Sequence, residues 1–222
     1  MGIIDRNFFQ VHFPASLGAQ LTPKRKAGLW SIFDAWDTIP GLDNLDWLAY
    51  MLGTAWHETQ RTVQPLRETF AASDQQAAAN VAAYCQKRGV ANYAARQANG
   101  NSYYGRGYVQ LTHAANYSKA SQKLGLGSQL YDSPDLVLRP GIAARILARG
   151  LIEGWFRPPA GTLRTYFSGT RRDWYDARDL VNGDKAHVDR WTLQQWPGGR
   201  SNGELIADYS RAMRGALRAT GA

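Results

Sequence analysis

Apolar residues recur along this chain at helical rather than alternating spacing. Leu29, Ile32, Phe33 and Trp36 fall three or four apart after Thr22-Pro23, a helix cap followed by a first-turn proline, and Pro40-Gly41 ends the run. A second helix is expected over 45–59, with Leu48, Met51, Leu52 and Ala55 as its inner stripe and Asp43 or Asn44 as its cap. A third begins near Ser73, which has Gln76 in capping-box spacing. It turns Val81, Tyr84 and Cys85 inward and stops at Gly89.

The same pattern predicts helices over 112–124 and 142–152 and a further helix over 173–181. The last helix opens on Ser201 with Glu204 as its box partner, and its inner face is Leu205, Tyr209, Ala212, Met213 and Leu217. Residues 7–18 read as irregular. The glycine- and asparagine-rich stretch 98–107 reads as a loop or short turn-linked strands. The whole is expected to be one mainly α domain over 1–222 with short extended segments.

Composition narrows this modestly. The 222 residues, 44% of them hydrophobic, suffice for a sizeable core, and no apolar run is long enough to span a bilayer. The N-terminus lacks the pattern of a secretory signal. The single cysteine, Cys85, excludes an intramolecular disulfide and reads as a buried structural thiol. A formal charge of +8, from 26 Lys and Arg against 18 Asp and Glu, favours an anionic partner: nucleic acid, an anionic membrane or an acidic cell-wall polymer. Eight tryptophans and eleven tyrosines would suit sugar rings or bases as well as a core.

The candidate chemistry centres on two glutamates. Glu58 continues the stripe of the second helix at its C-terminal end, where partial burial and the helix dipole favour the protonated form. Glu68 lies ten residues on, in Leu66-Arg67-Glu68-Thr69-Phe70, where polar neighbours favour the ionised form. One acid and one base in different environments is what inverting glycoside hydrolysis needs, with the carboxyl groups roughly 6.5–9.5 Å apart. Surface glutamates and a helix-end ion pair remain open on chemistry alone. The four histidines, at 12, 57, 113 and 187, have no metal-ligand spacing, and Gly105-Arg106-Gly107 lacks the lysine of a phosphate loop. Tyr103 to Thr112 could be a structural turn or a cleft wall.

Ala55-Trp56-His57-Glu58-Thr59, followed by Tyr103-Tyr104-Gly105-Arg106-Gly107-Tyr108-Val109-Gln110-Leu111-Thr112 and Asn116-Tyr117, resembles glycoside hydrolase family 19, the family of chitinases and phage-type lysozymes. The resemblance runs discontinuously from about Leu21 to Asp189. It implies a lysozyme-like helical fold with a substrate cleft. By the same resemblance Glu58 matches the general acid, Glu68 the second carboxylate and Thr112 the hydroxyl that positions water. Gln110 and Asn116 match substrate-contacting or carboxylate-orienting residues of the cleft, Asn182 the Asn-Gly segment that lines its opposite side and contacts substrate, and Arg190 more loosely a downstream cleft arginine. Asn182-Gly183-Asp184 departs from the family's Asn-Gly-Gly. Tyr103, Tyr104, Tyr108 and Arg106 are further candidates for substrate contact, and Arg67 and Arg106 for holding the carboxylates or the loop.

Compact length and Leu66-Arg67-Glu68 are closer to the bacterial and phage members that cleave peptidoglycan. The expected activity is hydrolysis of the β-1,4 bond between N-acetylmuramic acid and N-acetylglucosamine, with no cofactor and no metal. The expected setting is a monomeric endolysin that accumulates in a host cytoplasm and reaches the wall through membrane lesions. It would have no separate wall-binding module and no specific nucleic-acid partner, and its charge would hold it to the anionic envelope. The alternatives are a chitinase acting on N-acetylglucosamine polymers, and a non-catalytic polysaccharide- or nucleic-acid-binding protein.

Overall fold

The computed structural model describes residues 3–189, 192–193 and 198–220. Asp5 caps the first helix, α1 (Arg6–Val11), by accepting a hydrogen bond from Phe8 N at 2.9 Å. The opening stretch is therefore not wholly irregular: Phe9 is fully buried edge-on against Phe33, and that contact anchors the helix. Thr22 accepts from Arg25 N and starts α2 (Pro23–Asp37), as its Thr-Pro signature predicts.

Asn44 caps α3 (Leu45–Glu58). This helix departs from expectation, because every residue from Asp46 to Trp56 is buried rather than one stripe. The reason is a second helix laid along it, α9 (Asn202–Gly215), at a crossing that only a glycine permits. A Cβ on Gly53 would lie 2.1 Å from Ser210 Oγ. Ser201 and Glu204 form the predicted capping box of α9.

β1 (Leu66–Arg67) pairs antiparallel with β2 (Arg106–Gly107), Leu66 opposite Gly107 and Arg67 opposite Arg106. Between them lies α4 (Asp74–Arg88), capped by Ser73 and closed by left-handed Gly89. Cys85 and Val81 face inward, but Tyr84 is 48% exposed, its ring beneath the Arg88 guanidinium. Then follow α5 (Ala114–Lys123), α6 (Gln129–Asp132), α7 (Pro140–Glu153), which packs on α2, and α8 (Leu163–Tyr166). The helix expected over 173–181 is only a 3₁₀ turn, Asp176–Leu180. No helix among the described residues is long and apolar enough to cross a membrane.

The main apolar core surrounds α3. A smaller cluster of Ala71, Ala77, Val81, Cys85, Ala94 and Tyr104 lies under α4. Arg106 bolts this smaller part to the rest. Its fully buried guanidinium reaches Asp74 at 2.7 Å, Asp135 at 2.8 Å, Ser102 O at 2.9 Å and Tyr117 Oη at 3.1 Å, with the Tyr104 ring 3.7 Å away.

Candidate active site

Glu58 is the last residue of α3, at the point where the helix reaches a cavity. Thr59 closes the helix: its hydroxyl donates to Ala55 O at 2.7 Å and accepts from Val63 N at 2.9 Å. The chain then reverses through left-handed Gln60, Arg61 and Val63, and Val63 O presses on Gly28, where a Cβ would come within 1.8 Å. This reversal carries β1 back toward the end of α3, and Glu68 follows β1 directly.

The Tyr103–Thr112 motif supplies the facing wall. Glu68 N donates to Gly105 O at 2.8 Å, and Arg106 and Leu111 exchange backbone bonds across a tight turn in which Gly107 and Gln110 are left-handed. That turn directs Gln110 into the cavity, braced by bonds from its side-chain amide to Leu66 O and Gly107 O. Two cavities result, of about 390 Å³ and about 320 Å³, and Glu58, Gln110 and Asn182 line both. Thr112 and Asn116 line the smaller. The Thr112 hydroxyl donates to Gln110 O at 2.7 Å, with no donor to its own lone pairs among the described residues, and Asn116 donates to Thr112 O at 2.8 Å.

Glu68 sits one layer back. Its neighbours Leu66, Arg67, Thr69 and Phe70 line the larger cavity, and its own carboxylate turns to Gly105 and Tyr93. Oε1 accepts from the Tyr93 hydroxyl at 2.5 Å and Oε2 from Gly105 N at 2.8 Å. Gly105 lets the chain pass close to both side chains: a Cβ would meet Gln110 Oε1 at 2.9 Å and Glu68 Oε2 at 3.2 Å.

Glu58 does not rest against an apolar wall, as expected from the helix stripe. Its Oε1 accepts from Nη1 of Arg178, whose side chain is 3% exposed. The rest of that guanidinium forks onto Asp184, with Nε to Oδ1 at 2.6 Å and Nη2 to Oδ2 at 3.0 Å. Asn182 and Asn202 each donate to Asp184 Oδ2, at 3.1 and 3.0 Å. Burial works against the Asp184 charge, but the Arg178 hydrogen bonds and charge outweigh it and hold the carboxyl below its usual range. His57, beside Glu58 on the cavity wall, is pushed down by burial and is neutral at pH 7. Its Nδ1 is sealed from solvent and has no hydrogen-bond partner among the described residues.

The sequence reading missed Arg178, Asp184 and Tyr93. Arg178 carried a signal, a lone cation among Ala177, Leu180 and Val181. Asp184 occupies the position where the family motif is broken, so that departure supplies the second acid of the Arg178 fork. Other expectations need correcting. Tyr103, Tyr104 and Arg106 are buried and line neither cavity; Tyr103 donates to Tyr131 O at 2.7 Å and Tyr104 to Asp74 at 3.0 Å. Tyr108 is buried against Ser31, and burial pushes its phenol up to about 12. Arg67 grips Asp135 at 2.6 Å, so neither Arg67 nor Arg106 holds Glu58 or Glu68, although Arg106 does hold the loop. Arg190 lies outside the described residues. Among the described residues no cluster of three His, Cys, Asp or Glu side chains could hold a metal ion.

Comparison with known proteins bears on this arrangement. The mainly α fold is lysozyme-like, as in the solved structures it resembles. Residues 45–148 match the glycoside hydrolase family 19 model, described as chitinase class I. The resemblance to family 19 thus holds in both sequence and fold. Over 35 residues the chain is 57% identical to the acidic 26 kDa endochitinase of Solanum lycopersicum and to the acidic endochitinase pcht28 of Solanum chilense. That match spans 16% of this chain and 14% of each relative. In fold the chain is similar to chitinase C from Streptomyces griseus HUT6037 (TM-score 0.50, 19% identity, 95% of this chain and 76% of that one). A mutant of chitinase C gives 0.53 and 20% over 95% and 92% of the two chains.

Proposed function

We propose that this chain hydrolyses β-1,4-linked N-acetylglucosamine polymers by an inverting acid–base mechanism. The observation that carries the reading is Glu58 on the wall shared by two cavities, gripped by an arginine that a second carboxylate also holds. Glu58 delivers its proton to the leaving oxygen. Arg178 then stabilises the carboxylate that forms, and the Asp184 fork keeps the guanidinium in place while Glu58 is protonated. Thr112 accepts a hydrogen bond from the attacking water, and the proton of that water is assigned to Glu68 by the family match alone, because in this structure its carboxylate turns to Tyr93 and Gly105 and lines neither cavity. Gln110, Asn116 and Asn182 bond sugar hydroxyls and acetamido groups.

The relatives named as endochitinases support chitin as the substrate. A second reading, peptidoglycan, is favoured by the charge of +8, which would hold the protein to an acidic envelope and weaken with salt. Under that reading the protein is a monomeric endolysin that accumulates in a host cytoplasm and acts on the wall. Reducing-end and anomer analysis of products from soluble chitin fragments and from purified peptidoglycan tests both readings. Inverted products from chitin fragments are expected. Cleavage of peptidoglycan alone would replace the first reading by the second, and cleavage of neither would end both.

A further inference from the structure

Large apolar side chains that stand about half exposed or more are few among the described residues: Ile3, Val11, Phe70, Tyr84, Val90 and Leu193. Of these, Phe70 lines the cavity that holds Glu58. An isolated exposed phenylalanine is unremarkable on its own. The backbone that presents this one is not. Thr69 and Phe70 are consecutive non-glycine residues in the left-handed region, at φ of 59° and 57°, a conformation that bulky side chains rarely adopt.

The surroundings enforce it. Asn80 donates to Thr69 Oγ1 at 2.9 Å, and Glu68 N is tied to Gly105 O at 2.8 Å. The next residue, Ala71, is 8% exposed and belongs to the small apolar cluster, yet Phe70 is 50% exposed. Ala71 joins the cluster while the ring before it is held out at the lip of the cleft, two residues from the candidate base. Strain maintained by neighbouring contacts at a cavity is a pointer to function. Phe156, in the other cavity, makes the contrast: its ring is wedged over Gly150, where a Cβ would come within 2.1 Å, and it serves packing.

We propose that Phe70 is a stacking platform for one pyranose ring of a β-1,4-linked N-acetylhexosamine chain. Equatorial substituents leave such a ring with a flat face of C–H groups, which a phenyl ring covers while the polar wall formed by Gln110 and Asn182 takes the ring's edge. The inference rests on the proposed function and adds to it a residue that sets affinity for the polymer. The platform reads a face common to chitin and peptidoglycan glycan, so it does not itself choose between them.

The test uses Glu58→Gln protein, titrated calorimetrically with the soluble N-acetylglucosamine hexamer and with a purified peptidoglycan glycan fragment. Adding Phe70→Ala should weaken binding of whichever glycan is bound about tenfold, or about 1.4 kcal/mol. Phe70→Trp should bind within about threefold of the parent. Phe70→Leu, apolar but not flat, should bind as weakly as the alanine variant. Alanine binding as tightly as phenylalanine overturns the platform, and so does leucine binding as tightly as tryptophan. If the protein with Glu58 intact cleaves glycan while alanine binds like phenylalanine, this inference alone falls. If the parent neither cleaves nor binds either glycan, the proposed function falls and takes the platform with it.

Discussion

Arg106 and Arg178 are chemically the same device in two parts of the molecule, a buried guanidinium between two acids from different segments. Arg106 joins Asp74 and Asp135, and its remaining donors go to Ser102 O, Tyr104 O and Tyr117 Oη. All its partners belong to the scaffold, so its effect is to fix the small lobe against the main one. Arg178 joins Asp184 to Glu58, and Glu58 forms part of a cavity wall. Buried ion pairs mark function only where one partner faces a space that a ligand can enter. A buried arginine by itself does not discriminate between the two cases.

Substitutions can break this contrast. The largest effect is expected for Glu58→Gln, which should lower kcat on soluble chitin fragments by roughly 10²- to 10⁴-fold with little change in melting temperature. Near-parental turnover would remove Glu58 as the acid. Next, Arg106→Met leaves Ser102 O, Tyr104 O and Tyr117 Oη without their buried donor, while Asp74 and Asp135 keep Arg96 and Arg67, and should cost about 1–3 kcal/mol of stability in urea unfolding. Its residual folded fraction should turn over normally. Arg178→Lys keeps the charge but cannot form the fork. We expect kcat to fall about ten- to a hundredfold at a nearly unchanged KM; loss of stability with unchanged kcat would make Arg178 a second Arg106.

The smallest effect is one of pH. The folded-state value of His57 lies below its unfolded reference of 6.5, so as pH drops from 6.5 toward that lower value the unfolded chain binds the proton first and stability falls. Melting temperature should decline by on the order of a few degrees across that window, and His57→Gln should flatten the decline.

Much of the helical frame was legible because its signals are local. Thr22-Pro23, Ser73 with Gly89, and Ser201 with Glu204 each act within one turn, and each forms the boundary expected of it. Tyr84 failed because α4 covers only a small cluster, too narrow to bury the whole of the face that its periodicity suggested. At the site, Glu58, Gln110, Thr112 and Asn116 were found through the motifs that carry the family resemblance and Asn182 through its Asn-Gly segment, and the fold brings them to one pair of cavities. The partners of the carboxylates were not legible: Arg178 lies 120 positions from Glu58, and Tyr93 lies 25 from Glu68.

By itself the amino-acid order determined where helices start and stop, which residues are apolar, and which short motifs carry polar groups, because each depends on neighbours a few residues away. Tertiary structure alone decided which arginine meets the acid, which tyrosines are core, and that α3 is enclosed on all sides. Those outcomes depend on how closely distant segments approach, and close approach is governed by packing at positions such as Gly28, Gly53 and Gly105, whose partners only the folded chain brings within reach.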